Sequence, residues 1–145
     1  MAGQRWLFAE PLKDTTVIGK VESIIGQSFP ADFVEFILQH NAGCPKLCVF
    51  DTARVKERVF SRLLSFDEND KNNIFFDLRA FSDIMPKTSL VPFAIDPFGN
   101  CLCFDYNTTP PTVVFWDHEV NETEFVASTF TELLSKLYDG EDIPD

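Results

Sequence analysis

Residues 90–117 read LVPFAIDPFGNCLCFDYNTTPPTVVFWD, and this stretch decides the fold. Leu90 to Ile95 is an apolar run, Asp96-Pro97-Phe98-Gly99-Asn100 is dense in turn formers, and Cys101 to Tyr106 and Thr112 to Asp117 are rich in aromatic and branched residues. The pattern is a hairpin followed by a third strand. Pro97 presets φ for a turn and Gly99 accepts positive φ, so five residues reverse the chain without strain. Alternation divides the faces: Cys101, Cys103 and Asp105 point one way, and Leu102, Phe104 and Tyr106 the other. In the third strand Val113 and Phe115 oppose Val114 and Trp116. Both faces carry bulky apolar groups, so the sheet is expected to be covered on one side and partly on the other.

On either side of this stretch the apolar period changes from two to about 3.6, which places helices around the sheet. Val17, Ile18, Val21, Ile24 and Ile25 share one helical face, with Asp14 or Thr15 placed to cap the start and Gly26 to end it. Phe29-Pro30-Ala31-Asp32 opens a second helix with proline in its first turn. Phe33, Phe36, Ile37 and His40 line one side of it, and Asn41-Ala42-Gly43 stops it. Two strands are expected between Leu47 and Phe66, then a short helix from Ile74 to about Asp83 through Ile74, Leu78 and Phe81. Thr129-Phe130-Thr131-Glu132 is a capping box for a last helix buried through Phe130, Leu133, Leu134 and Leu137 and ended by Gly140. The expected class is therefore α+β: one domain over residues 1–145, a mostly antiparallel sheet of about five to six strands, about four helices, and the order αα-ββ-α-βββ-α. Its core spans about 14–138, with an acidic tail over 139–145.

These segments, taken in order, resemble the SUKH superfamily of SMI/KNR-like proteins, named for yeast cell-wall regulators and bacterial immunity proteins. The resemblance rests on the proline-opened helix FPADFVEFILQHNAG (29–43), on Val91-Pro92-Phe93-Ala94 before a Gly-Asn turn, and on PTVVFWDHE (111–119) followed by VASTFTELL (126–134). It covers roughly residues 14 to 138, and its weight lies in the order of several short motifs. Ala42 departs from it, standing where the family often has glycine. In its bacterial immunity-protein type the resemblance implies a cytoplasmic protein that binds the toxic domain of a polymorphic toxin, often a nuclease. The alternative it implies is a non-catalytic interaction module that regulates an endogenous partner such as a cell-wall or signalling protein.

The charge agrees with a basic partner. The net charge is −11. Residues 1–72 hold nine Lys/Arg against ten Asp/Glu and residues 73–145 hold three against thirteen, so the two halves carry −1 and −10. Such a chain repels nucleic acid and anionic membranes and attracts basic proteins. A nuclease must attract phosphate, so its active face is commonly basic, and an acidic inhibitor complements it. The contacts expected on this ground are Asp96, Asp105, Asp117, Glu119, Glu122 and Glu124, on or beside the three strands, with Phe98, Tyr106 and Trp116 as aromatic anchors. A basic group, Arg54, Lys56, Arg58 and Arg62, lies in the first strand pair, a pattern that more often guards a solvated strand edge than holds an anion.

Other chemistry is weakly signalled. No Gly-x-Ser-x-Gly elbow, dinucleotide fingerprint or phosphate-cradling loop occurs, and residues 96–105 miss the calcium-loop pattern. Two histidines, His40 and His118, lack a third residue to form a triad, so no enzyme activity is expected. Cys44 and Cys48, with Cys101 and Cys103, do not keep the Cys-x2-Cys spacing that grips zinc, and reduced structural thiols are the expectation. No metal or other cofactor is expected. The start, MAGQRW, lacks the basic and apolar regions of a signal peptide, and no stretch approaches about 20 apolar residues, so a cytoplasmic protein is expected.

Overall fold

The computed structural model describes residues 4–86 and 89–139. Its centre is the stretch quoted above. β6 (Leu90–Ile95), β7 (Cys101–Asp105) and β8 (Thr112–Asp117) form where the alternation places them. With β5 (Arg62–Leu63) and β9 (Glu122–Ala127) they make a five-stranded antiparallel sheet in the order β5-β6-β7-β8-β9. Two further ribbons stand beside it: β1 (Trp6–Leu7) with β2 (Cys44–Pro45), and β3 (Val49–Phe50) with β4 (Arg58–Val59). The helices are α1 (Thr16–Ile25), α2 (Ala31–His40), α3 (Ile74–Phe81) and α4 (Phe130–Ser135). The α+β class and the antiparallel sheet stand as expected.

The division of faces sorts the strands into two cores. Leu102, Phe104, Val113 and Phe115 face the larger one, with Ile18 and Val21 of α1, Phe33 and Ile37 of α2, and Phe130 and Leu133 of α4. Cys101, Cys103, Val114 and Trp116 face a smaller one with Leu90, against which Phe81 and Met85 pack. α3 packs against β6 and contributes to both, since Ile74 and Phe75 lie in the larger core while Phe81 meets Trp116 edge to face at 5.3 Å. Every residue of β7 is therefore buried.

Helix ends follow side-chain chemistry with some changes of role. Asp14 accepts from the Thr16 N–H and hydroxyl, and Gly26, at φ 71°, donates its N–H to Glu22 O at 2.9 Å. Pro30 stands at the N-cap of α2 rather than inside its first turn. Thr129 caps α4 by accepting from Glu132 N at 3.0 Å, while the Glu132 carboxylate reaches Ser128 N at 3.2 Å. α4 ends at Ser135 and not at Gly140, which lies outside the described residues. The cause is tertiary: two residues beyond the C-cap, Tyr138 exchanges backbone hydrogen bonds with Val49 at 3.0 and 2.8 Å.

Three features depart from the expected order. Between Leu47 and Phe66 there are three two-residue strands where two were expected, because β3 and β4 pair with each other and β5 joins the main sheet. β9 was not expected at all, and it forms one edge of the sheet. Residues 4–12, outside the expected core, lie against the domain. Gln4 exchanges two 3.0 Å hydrogen bonds with the Leu47 backbone, and Glu10 and Asn41 exchange backbone bonds at 3.2 and 3.0 Å. Trp6 packs on Phe36 and Phe60 at 4.7 and 5.6 Å.

The stop of α2 joins this segment to the domain. Ala42 takes φ 63°, a left-handed conformation that costs an L-residue about 1–2 kcal/mol, so the difference from glycine noted in the sequence has a backbone consequence. Its neighbour Gly43 is confined instead by space, since a Cβ there would meet Ala9 Cβ at 3.0 Å and His40 O and Trp6 Cε3 at 3.1 Å. Ala42→Gly should raise stability by about 0.5 kcal/mol, the relief of φ exceeding the added freedom of the unfolded chain. Gly43→Ala should lower it by about 1–3 kcal/mol. Urea unfolding of the two variants checks both signs.

Candidate functional site

The acids expected to form a contact face fall into two groups. Asp96 and Asp105 are buried and bonded within the fold. Asp96 accepts from Phe98 N and Asn100 N, both at 2.8 Å, and from Asn100 Nδ2 at 2.9 Å, which closes the β6–β7 turn. Asp105 accepts from Ser89 Oγ at 2.8 Å and Asn107 N at 2.9 Å. Asp117 is half-buried and accepts from Glu119 N at 3.0 Å, while Glu119 is exposed.

Of the aromatic residues expected as anchors, Phe98 is 65% exposed at the tip of the β6–β7 turn. Tyr106 is half-buried and donates its hydroxyl to Ser28 O at 2.8 Å. Trp116 is 1% exposed, and its indole N–H donates to Asn121 Oδ1 at 2.8 Å, so it fills the smaller core. The structure brings two turns together here. His118 N donates to Asn100 Oδ1 at 2.9 Å, which sets Phe98 close to the turn that carries Glu119 and the exposed Val120.

Glu122 and Glu124 have a different task. Glu124 is buried and accepts from Arg58 Nη2 at 2.7 Å, Thr52 Oγ1 at 3.1 Å and Arg54 N at 3.1 Å. Arg54 also reaches Glu122 at 2.8 Å. The Arg58 guanidinium lies over the Phe115 ring at 4.1 Å. Arg54 and Arg58 thus bind the β3–β4 ribbon to β9, where a solvated edge had been expected. Burial alone would raise the Glu124 carboxyl. The hydrogen bonds from Arg58, the Arg54 backbone, Thr52 and the Arg54 side chain outweigh it and hold the pKa below its ordinary value.

A cleft lies elsewhere that sequence reasoning did not anticipate. It encloses about 420 Å³ between the segment Glu10–Asp14, the α1 residues Val17 and Lys20, and the loop Asp67–Asp70, with Asn41 and Phe66 among its lining. Five exposed carboxylates line it, Glu10, Asp14, Asp67, Glu68 and Asp70, against two ammonium groups, Lys13 and Lys20. A buried network sets the loop in place. Asn41 donates to Ser65 Oγ at 3.0 Å and accepts from Phe66 N at 2.9 Å, and Ser65 Oγ donates to the Asp70 carboxylate and accepts from Asp67 N at 3.0 Å. The Lys20–Glu68 pair, 3.6 Å apart and well exposed, is worth at most about 1 kcal/mol and leaves the cleft acidic.

Phe8 stands beside this cleft. It is 83% exposed, holds φ 59°, and lines a smaller depression that shares Glu10, Asn41 and Asp70 with the cleft. A phenylalanine kept in a left-handed conformation while facing solvent is a costly arrangement, of the kind that clusters at functional sites. The surface can present an aromatic ring beside a concentration of negative charge. Among the described residues no group of three or more His, Cys, Asp or Glu converges as metal ligands. The Cys101 and Cys103 thiols are pushed up by burial and stay protonated.

With the fold and this surface in view, the class is that of a small α+β domain with an acidic exterior. The model of the family SUKH_6, described as SMI1-KNR4 cell-wall, matches residues 16–134, and the chain belongs to that family within the SUKH superfamily. No curated protein matches it. Among the described residues no helix is long and apolar enough to cross a membrane.

The Glu124 network predicts an acid-sensitive step in stability. A carboxyl held low in the folded state stabilises above its unfolded value, about 4.3, and that contribution is lost as pH falls through the folded value. Glu124→Gln leaves the Arg58 guanidinium, only 10% exposed, without its counter-charge and should cost about 3 kcal/mol at pH 7. Below pH 4 the difference from the parent should shrink. Urea unfolding at pH 7 and pH 3.5 reads both.

Proposed function

We propose that this chain is a cytoplasmic, non-catalytic immunity protein that binds the toxic domain of a polymorphic or contact-dependent toxin and covers its basic active face. The observation that carries the reading is the charge of the cleft of Glu10 and Glu68, five carboxylates against two ammonium groups, beside the exposed Phe8. Family membership supports it, because the resemblance to immunity proteins runs through the matched residues. The net charge of −11 gives a long-range attraction for a cationic partner, and an aromatic ring at the contact lengthens the life of the complex once formed. The turn end of the sheet, with Phe98, Asp117 and Glu119, belongs to the same acidic exterior and is the second contact surface. A nuclease is the proposed toxin class, since its substrate requires a basic face.

The test is co-expression with the C-terminal domain encoded by the neighbouring upstream gene. Rescue of growth, with a complex that survives gel filtration, supports immunity. A lethal neighbour that this folded protein does not restrain removes that toxin as the partner. It moves the chain to the other reading, a module regulating an endogenous cell-wall or signalling partner, which the family description favours.

The contact surface has its own test. Glu10→Lys with Glu68→Lys should slow association with the toxin domain about tenfold or more in low salt, and the gap should close at high salt. Phe8→Ala should leave association unchanged and speed dissociation about tenfold, at little cost to folding. Asp117→Lys with Glu119→Lys measures the sheet end in the same stopped-flow assay. If neither charge-reversed pair changes the rate, the acidic exterior is not the contact.

A further inference from the structure

A second groove, of about 240 Å³, opens further along α1, where the end of that helix meets α3 and the start of β6. Its walls include Ile24, Ile25, Leu78, Phe81 and Met85, and Ile24 is 61% exposed. One ionisable group interrupts them. Asp77 lies half-buried among these apolar side chains, and its carboxyl has no hydrogen-bond donor or cation among the described residues. Its backbone N–H is spent within the helix turn on Asn73 O. A carboxylate in such surroundings loses hydration and gains nothing in exchange, and burial pushes its pKa up to about 6.

The surroundings of Asp77 define the complementary group. An anion is repelled, and a purely apolar side chain would bury the charge further. A group with an apolar stem and a cationic end satisfies both parts of the groove, and lysine and arginine are the side chains of that shape. We infer that this groove receives one lysine or arginine side chain of a protein partner, its stem on Leu78, Phe81 and Met85 and its cationic head on the Asp77 carboxylate. The groove's volume of about 240 Å³ gives room for one such side chain.

The site is sensitive to pH in one direction. Among the described lining residues Asp77 is the one titratable side chain, and α1 and β6 contribute only uncharged ones. From β7 the Cys101 thiol faces it, held protonated by burial and by the nearby Asp77 and Asp96. The cation requires ionised Asp77, so binding is full above about pH 7 and declines as pH falls through 6. The inference rests on the proposed reading for its basic protein partner, and it deepens that reading by assigning one of the partner's basic side chains a pocket away from the acidic cleft.

The test needs no toxin, so its failure is separate from that of the immunity reading. The uniformly 15N-labelled chain is titrated with n-butylguanidinium at pH 7.5, and with n-butylurea as the neutral isostere. Amide shifts should centre on Asp77, Leu78, Phe81 and Leu90 with a Kd on the order of millimolar, and n-butylurea should bind about fivefold or more weakly. Asp77→Asn should remove that preference, and at pH 5 the parent's affinity for the cation should fall about tenfold. Asp77→Asn should still fold, with a higher melting temperature than the parent at pH 7.5 and the same one at pH 3.5, because it removes a charge that burial disfavours. Equal binding of the two probes, unchanged binding by Asp77→Asn, or shifts confined to the cleft of Glu10 and Glu68 would overturn the inference.

Discussion

The layers of this protein meet on the ring of Phe33. It is fully buried on α2, and within 5.0–6.2 Å of it lie the rings of Phe29 before the helix, Phe66 after β5, Phe93 on β6, Phe104 on β7 and Phe130 on α4. All five pairs are tilted or edge to face, the arrangement that aligns ring edge with ring face and adds about 0.5–1.5 kcal/mol per pair beyond area burial. Once α2 is fixed by these contacts, its ends are fixed as well. Its first turn meets α4, where Asp32 accepts from Thr131 N and Oγ1 at 3.0 and 2.8 Å. Its last residue leads into Asn41, whose side chain organises the loop Phe66–Asp70. The acidic cleft is thus held by the same helix that holds the core.

Much of this was legible in the sequence, and the reason is local. β7 and β8 alternate strictly, β6 is an apolar run, and the turns between them hold Pro, Gly and Asn, so their extent and the two faces of β7 and β8 follow from period and turn chemistry. β9 was illegible because Glu-Thr-Glu-Phe-Val-Ala has no apolar alternation at its start. Glu124 is buried only because Arg58 and Arg54, nearly seventy positions earlier, supply its charge. The two-residue strands β1 and β2 carry too few residues for any period, and only the tertiary contact of Trp6 with Phe36 and Phe60 reveals why they pair.

The same division governs the charges. Counted along the chain, the excess of acid lies in residues 73–145. In space, two of those acids close turns or loops and two more are joined to Arg54 and Arg58. The cleft draws instead on Glu10, Asp14, Asp67, Glu68 and Asp70 from the half whose totals nearly cancel. The signal that was available is the run Asp67-Glu68-Asn69-Asp70, three acids in a turn-forming segment, diluted in a half-chain sum by bases that the fold places elsewhere. A sum over sequence halves reports solubility and long-range attraction. It does not report where a field is concentrated, because that depends on which loops share a wall.

Costs carried by single residues separate structural from outward-facing features. Ala42 is strained, but its left-handed turn brings Gly43 against Ala9, His40 and Trp6, so the strain is answered within the fold. Glu124 is a buried charge, and three partners answer it. Phe8 and Asp77 differ in kind. Phe8 takes an unfavourable φ and still leaves its ring 83% exposed, and Asp77 is half-buried with no donor among the described residues. Folding alone gives no return on either arrangement. A partner that covers Phe8 and offers a cation to Asp77 would supply both missing terms, one beside the acidic cleft and one in the apolar groove. A single basic protein reaching both would have to run along α1, from Val17 and Lys20 at the cleft to Ile24 and Ile25 at the groove.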